Sequence, residues 1–209
     1  MAKPSLILIG AGGHARSCID VIEQEGSFNI AGLVGLPNQR IARHFGYDLI
    51  GADSDLQMLA KNHQYALISI GQIQTAENRM RLYNQVTKIG FQLPVIIAPT
   101  AYVSRHAIIG AGSIVMHGSI VNSGAIIGNN CIINNRSLLE HDVSVEDNCH
   151  ISTGAILNGN VTVGAGSFIG SGSVIKEGVS IGKNCLVGMG LTVRRNLNDD
   201  SRFIGQARS

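Results

Sequence analysis

The chain has 209 residues, enough for one large or two small domains, and its 44% hydrophobic share is that of a globular protein with a buried core. A formal charge of +2, with no cluster of Lys and Arg, excludes a surface that tracks nucleic-acid phosphates. The 26 glycines, the absence of tryptophan and the excess of Ile and Val over charged residues suit short strands and many corners rather than packed helices.

Met1-Ala2-Lys3-Pro4 runs straight into a short apolar strand, which leaves no room for a signal h-region or a membrane span. A cytoplasmic protein without membrane insertion is expected. Cys18, Cys131, Cys149 and Cys185 show no CxxC spacing, so structural thiols in a reducing compartment are expected.

Up to about residue 100 the pattern alternates strand and helix. Residues 6–9 read as a buried strand, Gly10-Ala11-Gly12-Gly13-His14 as a tight turn, and 15–25 as a helix with apolar Cys18, Ile19, Val21 and Ile22. Further strands are expected at 30–33, 66–70 and 93–97, with a helix at 75–89; this alternation argues a small parallel sheet. The glycines allow backbone N–H groups to meet an anion at the start of the first helix. The turn lacks G-x-G-x-x-G spacing and an acidic residue about twenty positions on, where Val34-Gly35-Leu36 stands, so NAD is not expected.

After Pro99 the period becomes six. Stepping from Val103 gives Ile109, Val115, Val121, Ile127, Ile133, Leu139, Val145, Ile151, Leu157, Val163, Ile169, Ile175, Ile181, Val187 and Val193, all aliphatic and without an insertion. Two residues before each lies a mostly small residue, such as Ser113, Ala125, Cys131, Cys149 or Ser167. Residues two apart share one face of a strand, and a corner must follow, often at a glycine such as Gly110, Gly128, Gly164, Gly170, Gly182 or Gly188. Three such faces close a triangular coil of about eighteen residues, and about five coils stack into a prism.

These hexads resemble the hexapeptide-repeat acyltransferases, and Ile9-Gly10-Ala11-Gly12-Gly13-His14 resembles the front of their sugar acetyltransferase branch. That branch holds sialic acid O-acetyltransferases and UDP-4-amino-sugar N-acetyltransferases of the NeuD and PglD type. The resemblance implies a Rossmann-like α/β acceptor domain over 1–99, a left-handed parallel β-helix over 100–209, a homotrimer, and acetyl-CoA as co-substrate with a small-molecule sugar as acceptor.

Acetyl transfer needs a base to remove a proton from the attacking hydroxyl or amine. His141, two residues past core Leu139, falls at an exposed corner where neighbouring Asp142 is able to approach and orient it. The family's catalytic pair is a His followed by an acidic residue at the matching place, which implies the same roles here. By the same resemblance His150 contacts the thioester region as oxyanion donor or CoA contact, and Asn134 and Gly159 line the acceptor and acyl pocket. The resemblance also implies that Ser171 and Met189 touch CoA and that Gly12, Gly13, His14 and Gly71 are acceptor-binding positions. His117 and His106 lack the paired spacing of a shared zinc site, and no metal is expected.

The family's paired acidic motif for a UDP-sugar is missing at Gly35-Leu36, which leans the expectation toward O-acetylation of a sialic-acid-like sugar. N-acetylation of a UDP-4-amino sugar is the alternative. A non-catalytic trimeric nucleotide-binding scaffold is the alternative of another class. The tail 204–208 also departs from the family's Gly-x-Pro-Ala-basic ending.

Overall fold

A computed structural model describes residues 3–36 and 45–205. His44 and the Gln206-Ala207-Arg208 part of the tail lie outside the described residues.

The front part is a four-stranded parallel sheet in the order β3-β2-β1-β4, formed by β1 (Ser5–Ile9), β2 (Asn29–Val34), β3 (Leu49–Gly51) and β4 (Tyr65–Ile68). Helices α1 (Gly13–Glu25), α2 (Leu56–Leu59) and α3 (Glu77–Ile89) complete it. Strand β3 and helix α2 escaped the sequence reading because they are short and carry little periodicity. Gly10, at φ +118°, ends β1 in a conformation that favours glycine, and an added Cβ would collide with Ile70. Helix α1 buries Ala15, Cys18, Ile19, Val21 and Ile22 and ends at Gly26 in the left-handed conformation.

The strand expected at 93–97 is shorter, Ile96–Ile97, and it pairs with Ile114–Val115 rather than with the front sheet. It opens the prism. Three parallel sheets of seven, six and five two-residue strands form its faces. The first face includes Ile114–Val115, Ile132–Ile133, His150–Ile151, Phe168–Ile169 and Leu186–Val187; the second includes Ile120–Val121, Leu138–Leu139 and Ile156–Leu157; the third includes Ile126–Ile127 and Ser144–Val145. Ile132 pairs with Ile114 and with His150, so each coil advances by eighteen residues.

The six-residue ladder fills the interior, where Val115 through Val193 are buried, each such side chain contributing about 1.5–3 kcal/mol. Cys131, Cys149 and Cys185 join this core, and Cys18 lies on the buried face of α1; all four are free thiols. The corners use two separate devices. Left-handed φ recurs at every sixth residue from Gly112, filled by Gly, Asn, Asp or Arg, including Asn130 (+55°) and Asp142 (+59°). The glycines at 110, 128, 164, 170, 182 and 188 are instead places of close stacking: a Cβ at Gly170 would stand 2.5 Å from the Gly188 carbonyl carbon.

Ile114 and Ile132 on the outside of the first face, with Ile96 and Met116, pack against Ala15, Cys18, Ile19 and Ile22 in one buried cluster. His117 adds a polar tie, its Nε2 3.0 Å from Asp20 Oδ2 and its Nδ1 2.9 Å from Thr100 Oγ1. The front part therefore lies on the first face. Where that cover ends, the outward positions on the same face become His150, Phe168 and Leu186.

Candidate active site

His141 and Asp142 form the corner between the second and third faces. Their side chains are 64% and 66% exposed, and His141 Nδ1 lies 2.9 Å from Asp142 Oδ2. A carboxylate only accepts, so Nδ1 carries the proton and Nε2 keeps a free lone pair, the arrangement of a general base. The imidazole lies over Gly159 one coil on, where an added Cβ would stand 2.7 Å from both Cε1 and Nε2.

A second group lines a cleft of about 690 Å3 between the front part and the first face: His14, Gly71, Asn134, His150, Ser171 and Met189, together with Gln72 and Phe168. His150 is buried, with Nδ1 2.6 Å from the carbonyl oxygen of Gln72 and Nε2 3.0 Å from Asn134 Nδ2. The carbonyl requires the proton on Nδ1, so Nε2 accepts from the Asn134 amide. Both ring nitrogens of His150 are thus engaged, Nδ1 by the Gln72 carbonyl and Nε2 by the Asn134 amide. Burial, aided by Arg79 and opposed by the Gln72 hydrogen bond, pushes the His150 pKa down to about 4. Burial, then the charges of Arg79 and His150, push that of His14 down to about 3. His14 Nε2 is buried with no partner in the described structure. Ser171 Oγ lies 2.9 Å from Ser152 Oγ, and Met189 stands 80% exposed at the rim.

Gly12 and Gly13 stand beside the cleft at the start of α1, where an added Cβ would meet open space. A further cavity of about 320 Å3 opens at the ends of β1 and β2, lined by Gly10, Gly35, Leu36, Asp53 and Arg81 among others. The expected site residues thus divide into two groups within one chain. His14, Gly71, Asn134, His150, Ser171 and Met189 share a cleft, while His141, Asp142 and Gly159 sit on the next edge of the prism, across the second face.

Sequence reasoning missed Gln72, Phe168, Leu186 and Arg79. Phe168 and Leu186 are legible in retrospect, because steps of eighteen from His150 reach both on one face. Gln72 and Arg79 carry no repeat signal. Among the described residues no group of three His, Cys, Asp or Glu is placed to hold a metal, and no helix is long and apolar enough to cross a membrane.

Residues 5–86 match the PglD N-terminal domain, 142–177 the bacterial transferase hexapeptide (six repeats), and 160–195 the hexapeptide repeat of succinyl-transferase. PerB from Caulobacter crescentus, solved with CoA and GDP-perosamine, is 32% identical with a TM-score of 0.90, over 98% of this chain and 95% of that one. The chain belongs to the PglD/NeuD-type hexapeptide-repeat sugar acetyltransferases. The acetyltransferase domain of PglB from Neisseria gonorrhoeae, in complex with acetyl coenzyme A, is 29% identical with a TM-score of 0.88 over 96% of each chain. WeeI from Acinetobacter baumannii, 22% identical with a TM-score of 0.83 over 97% of each chain, shares the fold. No curated protein matches by sequence. As a member of this family the chain is an acyltransferase, built from a small α/β sheet followed by a left-handed parallel β-helix.

Proposed function

We propose that this enzyme transfers the acetyl group of acetyl-CoA to the amino group of a nucleotide-linked sugar, at a site completed between subunits of a homotrimer. The observation that carries the reading is the division of the site, with a free imidazole Nε2 on one edge of the prism and a cleft on the next. One convex prism offers both halves but does not face them together.

Apolar side chains flank the His141 corner on both sides. Tyr102 and Ile120 of the second face are 59% and 39% exposed, and Ile108 and Ile126 of the third are 63% and 50% exposed. Exposed apolar patches of this kind suit contact with further copies of the chain, which would turn the His141 corner toward a neighbour's cleft.

In this reading residues 100–209 hold acetyl-CoA, with Ser171 and Met189 along its arm, and residues 1–99 present the acceptor through Gly12, Gly13, His14 and Gly71. His141 Nε2 takes a proton from the acceptor amine as its nitrogen attacks the thioester carbonyl. The C–S bond then breaks, and the protonated His141 returns the proton to the CoA thiolate. Asp142 holds the ring and stabilises the imidazolium. Dependence on acetyl-CoA places the work in the cytoplasm.

Nitrogen as acceptor is supported by a solved relative that is a perosamine N-acetyltransferase, 31% identical and bound to GDP-perosamine. Asp53 and Arg81 supply polar groups for a nucleotide at the cavity beside Gly35 and Leu36. Those two apolar positions favour a second reading, O-acetylation of a sialic-acid-like sugar. The test offers acetyl-CoA with GDP- and UDP-linked amino sugars and with sialic-type acids, and identifies the acetylated product by mass spectrometry. Transfer to an amine supports the main reading; transfer only to the acids establishes the second, and absence of acetyl-CoA binding leaves the scaffold.

A further inference from the structure

We propose that Arg79 is a positioning residue of this cleft: its guanidinium clamps the segment after β4 to the prism corner at Asn130, and the clamp keeps the His150 proton on Nδ1, against the Gln72 carbonyl. The inference rests on the reading that acetyl transfer takes place in this cleft.

Arg79 lies in the first turn of α3 and is 1% exposed. Its Nη1 donates to the carbonyls of Ile68 (2.7 Å) and Ile70 (2.9 Å), and its Nε donates to the carbonyl of Asn130 (3.0 Å). One side chain thus joins the front sheet to the prism. Both partners of His150 hang from the segments it holds. Gln72, two residues past Ile70, accepts from Nδ1, while its own Nε2 donates to the Gly166 carbonyl at 3.1 Å. Asn134, four residues past Asn130, donates to Nε2.

Among the described residues no carboxylate pairs with this guanidinium, and Nη2 is buried without a partner. Its titratable surroundings are the thiols of Cys18 and Cys131 and the imidazoles of His14 on α1 and His150 on the first face. A buried cation without a counter-charge costs stability that an aliphatic side chain of similar length avoids, so packing alone does not account for it. Beside the clamp, its charge opposes protonation of His14 and His150, adding to the effect of burial.

The test compares wild type, Arg79→Lys and Arg79→Met by 15N spectra of labelled histidines, by the pH dependence of kcat and by KM for acetyl-CoA. Wild type should show a single Nδ1–H tautomer at His150. In the Met variant that single tautomer should be lost, because the Gln72 carbonyl is no longer held against Nδ1. kcat near pH 6 should then fall at least about tenfold, with KM for acetyl-CoA little changed. The Lys variant keeps the charge and loses the fork, so His150 should remain neutral while its tautomer signal changes and kcat falls less. Unchanged His150 spectra and pH profiles in both variants overturn the proposal, even with a lower melting temperature. Should the Met variant not fold, an unchanged tautomer and kcat in the Lys variant do the same. A shifted tautomer in an enzyme that never turns over acetyl-CoA overturns the functional reading and leaves the clamp standing.

Discussion

The His141 imidazole occupies the space that a side chain on Gly159 would fill, with an added Cβ 2.7 Å from its Nε2. Gly159 is not among the residues of positive φ, so its backbone accepts Ala. Gly159→Ala should therefore displace the ring while the coil persists. We expect kcat to fall at least about tenfold, since misplacing a reacting group by about 1 Å costs up to about a hundredfold, with a melting temperature near that of wild type. Full activity in this variant would remove the ring from the reaction.

Asp142 has two separable duties. It holds His141 Nδ1 at 2.9 Å, and its backbone takes the left-handed turn at φ +59°. Asn tolerates that turn and Ala does not, at a cost of about 1–2 kcal/mol. Both Asp142→Asn and Asp142→Ala should lose activity, and Ala should also lose melting temperature. Steady-state kinetics beside thermal unfolding separates the two.

If each site joins His141 of one subunit to the cleft of the next, two inactive chains should rescue each other. His141→Ala spoils one half, and Gly71→Trp fills the cleft beside His14, so neither homotrimer should turn over. Co-expressed at equal levels, they should regain about a quarter of wild-type activity through mixed trimers. No regain in trimers shown to be mixed would place the whole site within one subunit.

Both cleft histidines should make folding sensitive to acid. His14 and His150 titrate near 3 and 4 in the fold, against 6.5 ordinarily, so below about pH 6.5 the unfolded chain binds protons that the fold refuses. Their effect on stability is absent above pH 6.5, grows as a loss while pH falls toward 4, and levels off below about 3. Urea midpoints measured across that range should decline, and His14→Gln should make the decline shallower. A midpoint independent of pH between 6.5 and 4 would contradict the burial argument.

The prism was legible because each six-residue step buries one aliphatic side chain, a signal repeated without interruption from Val103 to Val193. The same rule placed His141 at a corner, two residues past Leu139. It did not place the cleft. The contact of α1 with Ile96, Ile114 and Ile132 joins segments far apart in sequence, and no periodicity reports which face the front sheet covers. Arg79 was hidden for a related reason: on a helix with many polar residues an arginine reads as solvated, and its burial follows only once the Asn130 corner lies against α3. The His150 tautomer required the Gln72 carbonyl, which no sequence pattern marks.

The most direct measurement is the rate of CoA release from acetyl-CoA by wild type and His141→Ala, with GDP- and UDP-linked amino sugars as acceptors. Because His141 is exposed, the variant should keep its melting temperature. The account expects acceptor-dependent release by wild type and a loss of at least about a hundredfold in the variant. Equal rates in the two proteins would contradict it.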